Sequence, residues 1–313
     1  MEDLKSLKIR GVGPITINKL IEYGYSPELI AVTPAWQISR ETGIPVDKVE
    51  LIAERIREDM GIGDELMTAK EYYEMRKSME KISTGCKALD NLLLGGIETG
   101  SITEFIGEYG AGKTQICHQL SVMVQLPREL GGLEAKAIYL DTEGTFRPER
   151  IVQIAKYRGL DPDRALDNIL YGRVYNTDHQ ILMVRNLFSI VKKENVKLVI
   201  VDSLISHFRS EYPGRENLAM RQQLLNSHVH DLLKLAMLHK VAVVVTNQVV
   251  SSPDVFFGNP LKPAGGNVVA HGCTYRIWIR KSKNKRIAKV IDSPCMPEME
   301  VVFSITENGI EDL

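Results

Sequence analysis

Gly107-Glu108-Tyr109-Gly110-Ala111-Gly112-Lys113-Thr114 is the stretch on which the reading of this chain turns. It fills every position of the pattern G-x-x-x-x-G-K-[ST]. An apolar run, residues 102–106, precedes it and reads as a strand; a helical pattern over residues 114–126 follows it. That context is what phosphate chemistry requires. Glycines let backbone N–H groups converge on phosphate oxygens with no Cβ in the way. A helix N-terminus adds partial positive charge. Lys113 can reach the β- and γ-phosphates of ATP, and Thr114 can ligate Mg2+. A plain glycine turn would need neither the lysine nor the flanking strand and helix.

Outward from this loop, short β-rich runs alternate with helical stretches. Strands are expected at 137–140, 169–174, 198–201 and 241–246, and helices at 179–193 and 218–239. Such alternation predicts an α/β fold with a mostly parallel sheet and helices on its faces. Residues 275–280, 286–291 and 300–305 are strand-like, with a polar turn at 282–285, and predict an antiparallel C-terminal extension. Residues 1–60 look all-helical, with turns at Gly11-Val12-Gly13-Pro14, Gly24 and Gly43-Ile44-Pro45. The expected organisation is therefore a small N-terminal helical domain (1–60), a linker (61–80) that runs into a helix at 68–77, and an ATPase core (81–313).

The other groups that ATP hydrolysis needs stand at strand ends. Leu198-Val199-Ile200-Val201-Asp202 is an apolar strand closed by an acid that can hold Mg2+ through water. Tyr139-Leu140-Asp141-Thr142-Glu143-Gly144 places two carboxylates beyond another strand. Glu143 is the candidate water-activating base and Asp141 its rival, with a turn cap as the plain role of the latter. Gln248, after Val245-Thr246-Asn247, can sense a γ-phosphate by hydrogen bonding.

Composition narrows the partners. The chain has 313 residues and a formal net charge of −1, with 44% hydrophobic and 25% charged residues. A protein basic overall is excluded, so any DNA site must be a local patch or a set of loops. No apolar run approaches the roughly 18 residues of a membrane span, and the first residues lack the features of a signal peptide. A cytoplasmic location is expected. Cys86, Cys117, Cys273 and Cys295 are scattered without C-x-x-C spacing, so free thiols rather than a zinc site are expected.

Three segments suit nucleic acid. Phe208-Arg209-Ser210-Glu211-Tyr212-Pro213-Gly214-Arg215, with Arg221 just beyond, groups three arginines around a Pro-Gly turn, which suits phosphate contacts. Residues 249–268 form a long Gly-, Pro- and Ser-rich stretch containing Phe256, Phe257 and Lys262. The aromatic pair can stack on bases or pin the loop to the core. Gly11 and Gly13 belong to a turn between apolar helical patterns that resembles a helix-hairpin-helix, whose amides can bind a DNA phosphate.

The run Asp141-Thr142-Glu143-Gly144-Thr145-Phe146-Arg147-Pro148-Glu149-Arg150 resembles the RadA recombinases of archaea and their eukaryotic counterparts, relatives of bacterial RecA. Gly110–Gln115 with His118-Gln119-Leu120, Thr246-Asn247-Gln248-Val249, and Asp292-Ser293-Pro294-Cys295-Met296-Pro297-Glu298 are similar too, and the likeness runs through nearly the whole chain. The resemblance implies a RecA-type core and roles for single residues. Glu143 would be the catalytic glutamate, Gln248 a switch between the γ-phosphate and the DNA loops, and Gln115 part of the ATP site. Arg150 would stack on adenine. Asp292, Pro294 and His271 would reach the ATP of a neighbouring protomer in a helical filament. Asn267 departs from the histidine of many archaeal members but matches eukaryotic ones. In Leu66-Met67-Thr68-Ala69 the family pattern is F-x-x-A, with Phe and Ala anchoring the next subunit; here Leu66 replaces Phe and Ala69 is kept.

The expected protein is an ATP- and Mg2+-dependent recombinase that forms a ring or filament, coats single-stranded DNA and pairs it with double-stranded DNA. Mg2+ alone or Mg2+ with a monovalent cation both fit the ATP interface. A RecA-fold DNA motor and an accessory paralogue without strand exchange are the alternatives.

Overall fold

The computed structural model describes residues 4–7, 9–62, 66–251 and 261–313. In chain order the helices are α1 (Pro14–Glu22), α2 (Pro27–Ala31), α3 (Ala35–Thr42), α4 (Val46–Met60), α5 (Ala69–Lys77), α6 (Lys87–Leu92), α7 (Lys113–Met123), α8 (Pro148–Tyr157), α9 (Pro162–Asp167), α10 (Thr177–Lys193), α11 (Ser206–Glu211), α12 (Leu218–His239) and α13 (Gly266–Gly272). The strands are β1 (Lys81–Ile82), β2 (Ile97–Glu98), β3 (Ile102–Ile106), β4 (Lys136–Asp141), β5 (Ile169–Arg173), β6 (Val196–Asp202), β7 (Ala242–Asn247), β8 (Val249–Ser251), β9 (Leu261–Pro263), β10 (Tyr275–Ser282), β11 (Lys285–Asp292), β12 (Glu300–Thr306) and β13 (Gly309–Glu311).

The chain divides into two units: Met1–Ser78 with Asp178–Lys193, and Met79–Thr177 with Glu194–Leu313. In the first, α1 and α2 both begin on proline, whose fixed φ and missing N–H suit a first helical position. Ile17, Leu20, Leu29, Ile30, Ile38, Val49, Ile52 and Ile56 supply buried faces at helical spacing. Arg185, from α10, packs over the Tyr25 ring and pairs with Glu41 at 2.8 Å within this unit. The helix α5 has no buried residue; a reciprocal cap holds its start, with Thr68 Oγ1 accepting from Glu71 N and Thr68 N donating to Glu71 Oε2.

The second unit is built on a nine-stranded sheet in the order β13-β12-β11-β10-β3-β7-β6-β4-β5. From β10 to β5 every pairing is parallel; β10–β11, β11–β12 and β12–β13 are antiparallel. The strands expected at 275–280, 286–291 and 300–305 form that antiparallel part as β10, β11 and β12, and β10 also joins it to the parallel strands. One edge of β10 lies parallel to β3 while the other begins the antiparallel part. The pattern of a single strand cannot say which way its neighbour runs.

The middle strands β3, β6 and β7 are buried along nearly their whole lengths, as expected of parallel strands covered on both faces. Phe105, Cys117, Leu120, Tyr139, Ile151, Leu198, Ile277 and Phe303 belong to one core under them. Because β3, β7, β6 and β4 are parallel neighbours, the segments that follow them emerge along one edge of the sheet, and the site forms there.

Candidate nucleotide site

The phosphate loop leaves β3 at Gly107, whose N–H donates to the Asn247 carbonyl at 3.2 Å. A Cβ at Gly107 would collide with the Ile279 carbonyl oxygen, so glycine is required where the loop crosses β10. Gly112 has φ of 110°, a backbone region that favours glycine, and it begins α7 without a side-chain cap. The first amides of α7 therefore have no side-chain acceptor competing with an anion. The helix is anchored behind them, since Ile116 to Met123 are all buried.

A cavity of about 700 Å³ opens over this loop. It is lined by Gly107 to Gly110, Gly112 to Gln115, Glu143, Asp202, Thr246 and Gln248 among others. Ala111 of the loop is buried beneath, and Tyr109 is fully exposed. Lys113 Nζ donates to the carbonyls of Gly107 (2.8 Å) and Glu108 (3.0 Å), so the side chain curls around its own loop. Burial lowers the pKa of Lys113, and the nearby Asp202 and Glu143 carboxylates pull it back up.

Asp202, 2% exposed, is held on three sides. Thr114 Oγ1 donates to its Oδ2 at 2.8 Å, Tyr139 Oη to the same oxygen at 2.7 Å, and Thr246 Oγ1 to Oδ1 at 2.5 Å. Thr114 and Asp202 thus stand together as hard oxygen ligands of the kind Mg2+ takes. The glycine cradle, the uncapped helix start and this oxygen pair fit a magnesium nucleotide.

The two candidate bases separate cleanly. Asp141 is 1% exposed, and its oxygens accept from the backbone N–H groups of Glu143, Gly144, Thr145 and Phe146 at 2.7–3.2 Å. Tyr171 and Arg173 add side-chain contacts. Asp141 holds the turn. Glu143 projects from that turn into the cavity, and its Oε1 accepts from Gln248 Nε2 at 2.7 Å. Burial raises the pKa of Glu143, Asp202 raises it further, and the Gln248 hydrogen bond and Lys113 oppose the rise.

Behind the site, His118 is buried among Tyr139 and Phe146, and its Nε2 accepts from Arg147 N at 3.0 Å. Burial pushes its pKa down to about 4.

Other expected site residues lie elsewhere. Arg150 does not line the cavity; its Nε donates to Gln115 Oε1 at 2.7 Å, and its Nη atoms donate to the carbonyls of Thr306 and Glu307. Asp292, Pro294 and His271 are exposed and do not line the cavity of their own chain. Arg209 on α11 and Arg215 are exposed, while Arg221 on α12 is half-buried and donates to the Tyr212 carbonyl. Lys262 is exposed on β9, which pairs with β8. Phe256 and Phe257 lie outside the described residues. Gly11 and Gly13 are exposed, and Gly13 lines a cleft of about 770 Å³ together with Lys5, Arg10 and Asn18. Leu66 is fully exposed, and Ala69 opens α5.

Sequence reading missed Tyr139 and Thr246 as partners of Asp202, and Arg286 and Ile305 as cavity-lining residues. Tyr139 stands two before Asp141 on a strand, so a polar tip on the face of that acid was its one signal. Arg286 and Ile305 come from β11 and β12 and carried no local signal.

The parallel strand ends and the loop between β3 and α7 define a P-loop protein with a RecA-type α/β fold. Comparison with known proteins narrows this. The family model described as Rad51 matches residues 75–313. The chain is 53% identical over 317 residues to the DNA repair and recombination protein RadA of Aeropyrum pernix, covering 99% of each chain. It is 53% identical over 313 residues to the protein of that name from Ignicoccus hospitalis, covering 97% of this chain and 94% of that one. The chain belongs to the Rad51 family.

Proposed function

We propose that this protein is an ATP-dependent recombinase of DNA repair, which assembles on single-stranded DNA and catalyses homologous pairing and strand exchange. The observation that carries the reading furthest is the 2.7 Å hydrogen bond from Gln248 to Glu143. Gln248 lies directly before β8, and β8 and β9 flank residues 252–260, so a water-activating carboxylate touches the root of a candidate DNA loop. Full-length similarity to proteins named for DNA repair and recombination supports the same reading.

In this reading the site is a DNA-stimulated ATPase. Lys113 leaves the Gly107 and Glu108 carbonyls to meet the β- and γ-phosphates. Thr114 and Asp202 would hold Mg2+, which would supply neutralisation of phosphate charge. Glu143 takes the proton of the attacking water. Arg150 faces adenine, and Asp292, Pro294 and His271 close the site from a neighbouring protomer, with Leu66 and Ala69 joining the protomers. Arg209, Arg215, Arg221, Lys262, Phe256 and Phe257 contact DNA without reading bases, since base pairing itself must decide homology. Residues 1–60 form a helix-hairpin-helix domain that meets duplex DNA through Gly11 and Gly13. Residues 61–80 are a linker and 81–313 the ATPase core.

Strand invasion tests this. A labelled single strand, homologous supercoiled DNA, Mg2+ and ATP should yield joint molecules. None should form with Lys113→Ala or with heterologous duplex. ATP hydrolysis without joint molecules would instead mean a motor or an accessory paralogue.

A further inference from the structure

Asn247, the last residue of β7, is completely buried and reaches three parts of its unit from one position. Its carbonyl accepts from Gly107 N, the first amide of the phosphate loop. Its Nδ2 donates to Glu104 Oε1 at 2.6 Å and to the Ala264 carbonyl at 2.8 Å. Ala264 N in turn donates to the Gln248 carbonyl at 2.9 Å, closing the base of the β8–β9 hairpin.

The orientation of this amide is forced. A carbonyl can only accept, and so can an ionised carboxylate, so only the nitrogen of Asn247 can face both. Among the described residues its Oδ1 is buried without a partner, so two donations are made at the expense of the acceptor. Glu104 is completely buried on the phosphate-loop strand, and Arg276 Nε donates to its Oε2 at 2.6 Å. Burial raises the pKa of Glu104, and Arg276 opposes the rise. The anchor of Asn247 is therefore an ion pair across β3 and β10, rigid by comparison with a surface side chain.

An apolar residue would fill the same space and spare the orphaned oxygen. What the amide adds is a mechanical link. Gln248, which touches Glu143, cannot shift without pulling on the residue before it, and that residue grips both the phosphate-loop strand and the hairpin's return at Ala264. We infer that Asn247, anchored by Glu104, is the positioning residue that couples the nucleotide site to the hairpin carrying Lys262. This rests on the reading of that hairpin as DNA-contacting.

The test uses the full-length chain with Asn247→Leu, and Asn247→Ser should the leucine variant not fold. The kcat and KM for ATP are measured with and without oligodeoxythymidylate. Without DNA both should stay within about twofold of wild type, because no contact to the reacting atoms is lost. The stimulation by DNA should fall by about 5-fold or more, the low end of allosteric couplings. An unchanged stimulation factor, or a kcat lowered equally with and without DNA, would overturn the inference. A wild type that DNA does not stimulate would instead bring down the recombinase reading itself.

Discussion

Gln248 and Glu143 are 105 residues apart in sequence and 2.7 Å apart in space, the amide of one donating to the carboxylate of the other. The contact joins the end of β7 to the turn after β4, although β6 lies between those strands in the sheet. It also opposes the larger rise in proton affinity that burial and Asp202 impose on Glu143, the candidate base that projects into the cavity.

Glu143 must be ionised to accept a proton, and burial and Asp202 raise its pKa above the usual carboxylate value. Hydrolysis should therefore fall on the acid side at a higher pH than for an ordinary glutamate. Gln248→Ala removes an opposing influence, so the acid limb of kcat should move further up. Glu143→Gln should lower kcat by about 10²–10⁴-fold while nucleotide affinity persists. A pH profile of single-turnover hydrolysis checks all three. An acid limb unmoved in Gln248→Ala would remove Glu143 from the role of base.

His118 gives stability a pH dependence of known sign. Its pKa is about 4 in the folded chain and 6.5 ordinarily, so between these values the unfolded chain holds the extra proton. Stability from this residue is complete above pH 6.5 and is lost as pH falls toward 4. The loss amounts to about 3 kcal/mol. Urea unfolding across that range should show the slope in wild type and a smaller one in His118→Gln. Equal slopes would mean that His118 is not held neutral.

Leu66 offers less area than the phenylalanine of the family pattern. Leu66→Phe should strengthen self-association by about 1–2 kcal/mol per interface, given the added aromatic surface. Light scattering against concentration measures it. A weaker assembly would mean that the receiving pocket is shaped to leucine.

The sequence by itself determined the phosphate loop, most strands of the central sheet and the acid at Asp202, because each is a local pattern: a glycine spacing, an apolar run, a residue at a strand end. It also named Glu143, Gln248 and Asp141 as candidates. Among these it put Glu143 ahead of Asp141 as the base and gave Asp141 a turn cap as its plain role, and the tertiary structure adds where each side chain goes. Asp141 and Glu143 are chemically alike in sequence, and what separates them is that four backbone amides fold onto Asp141 while Glu143 turns to the cavity. The parallel course of β10 and the hydroxyls of Tyr139 and Thr246 on Asp202 were likewise invisible. So was the grip of Asn247 on Glu104. Each depends on which strands become neighbours, and strand neighbours are chosen by burial of the whole sheet rather than by any segment's own pattern.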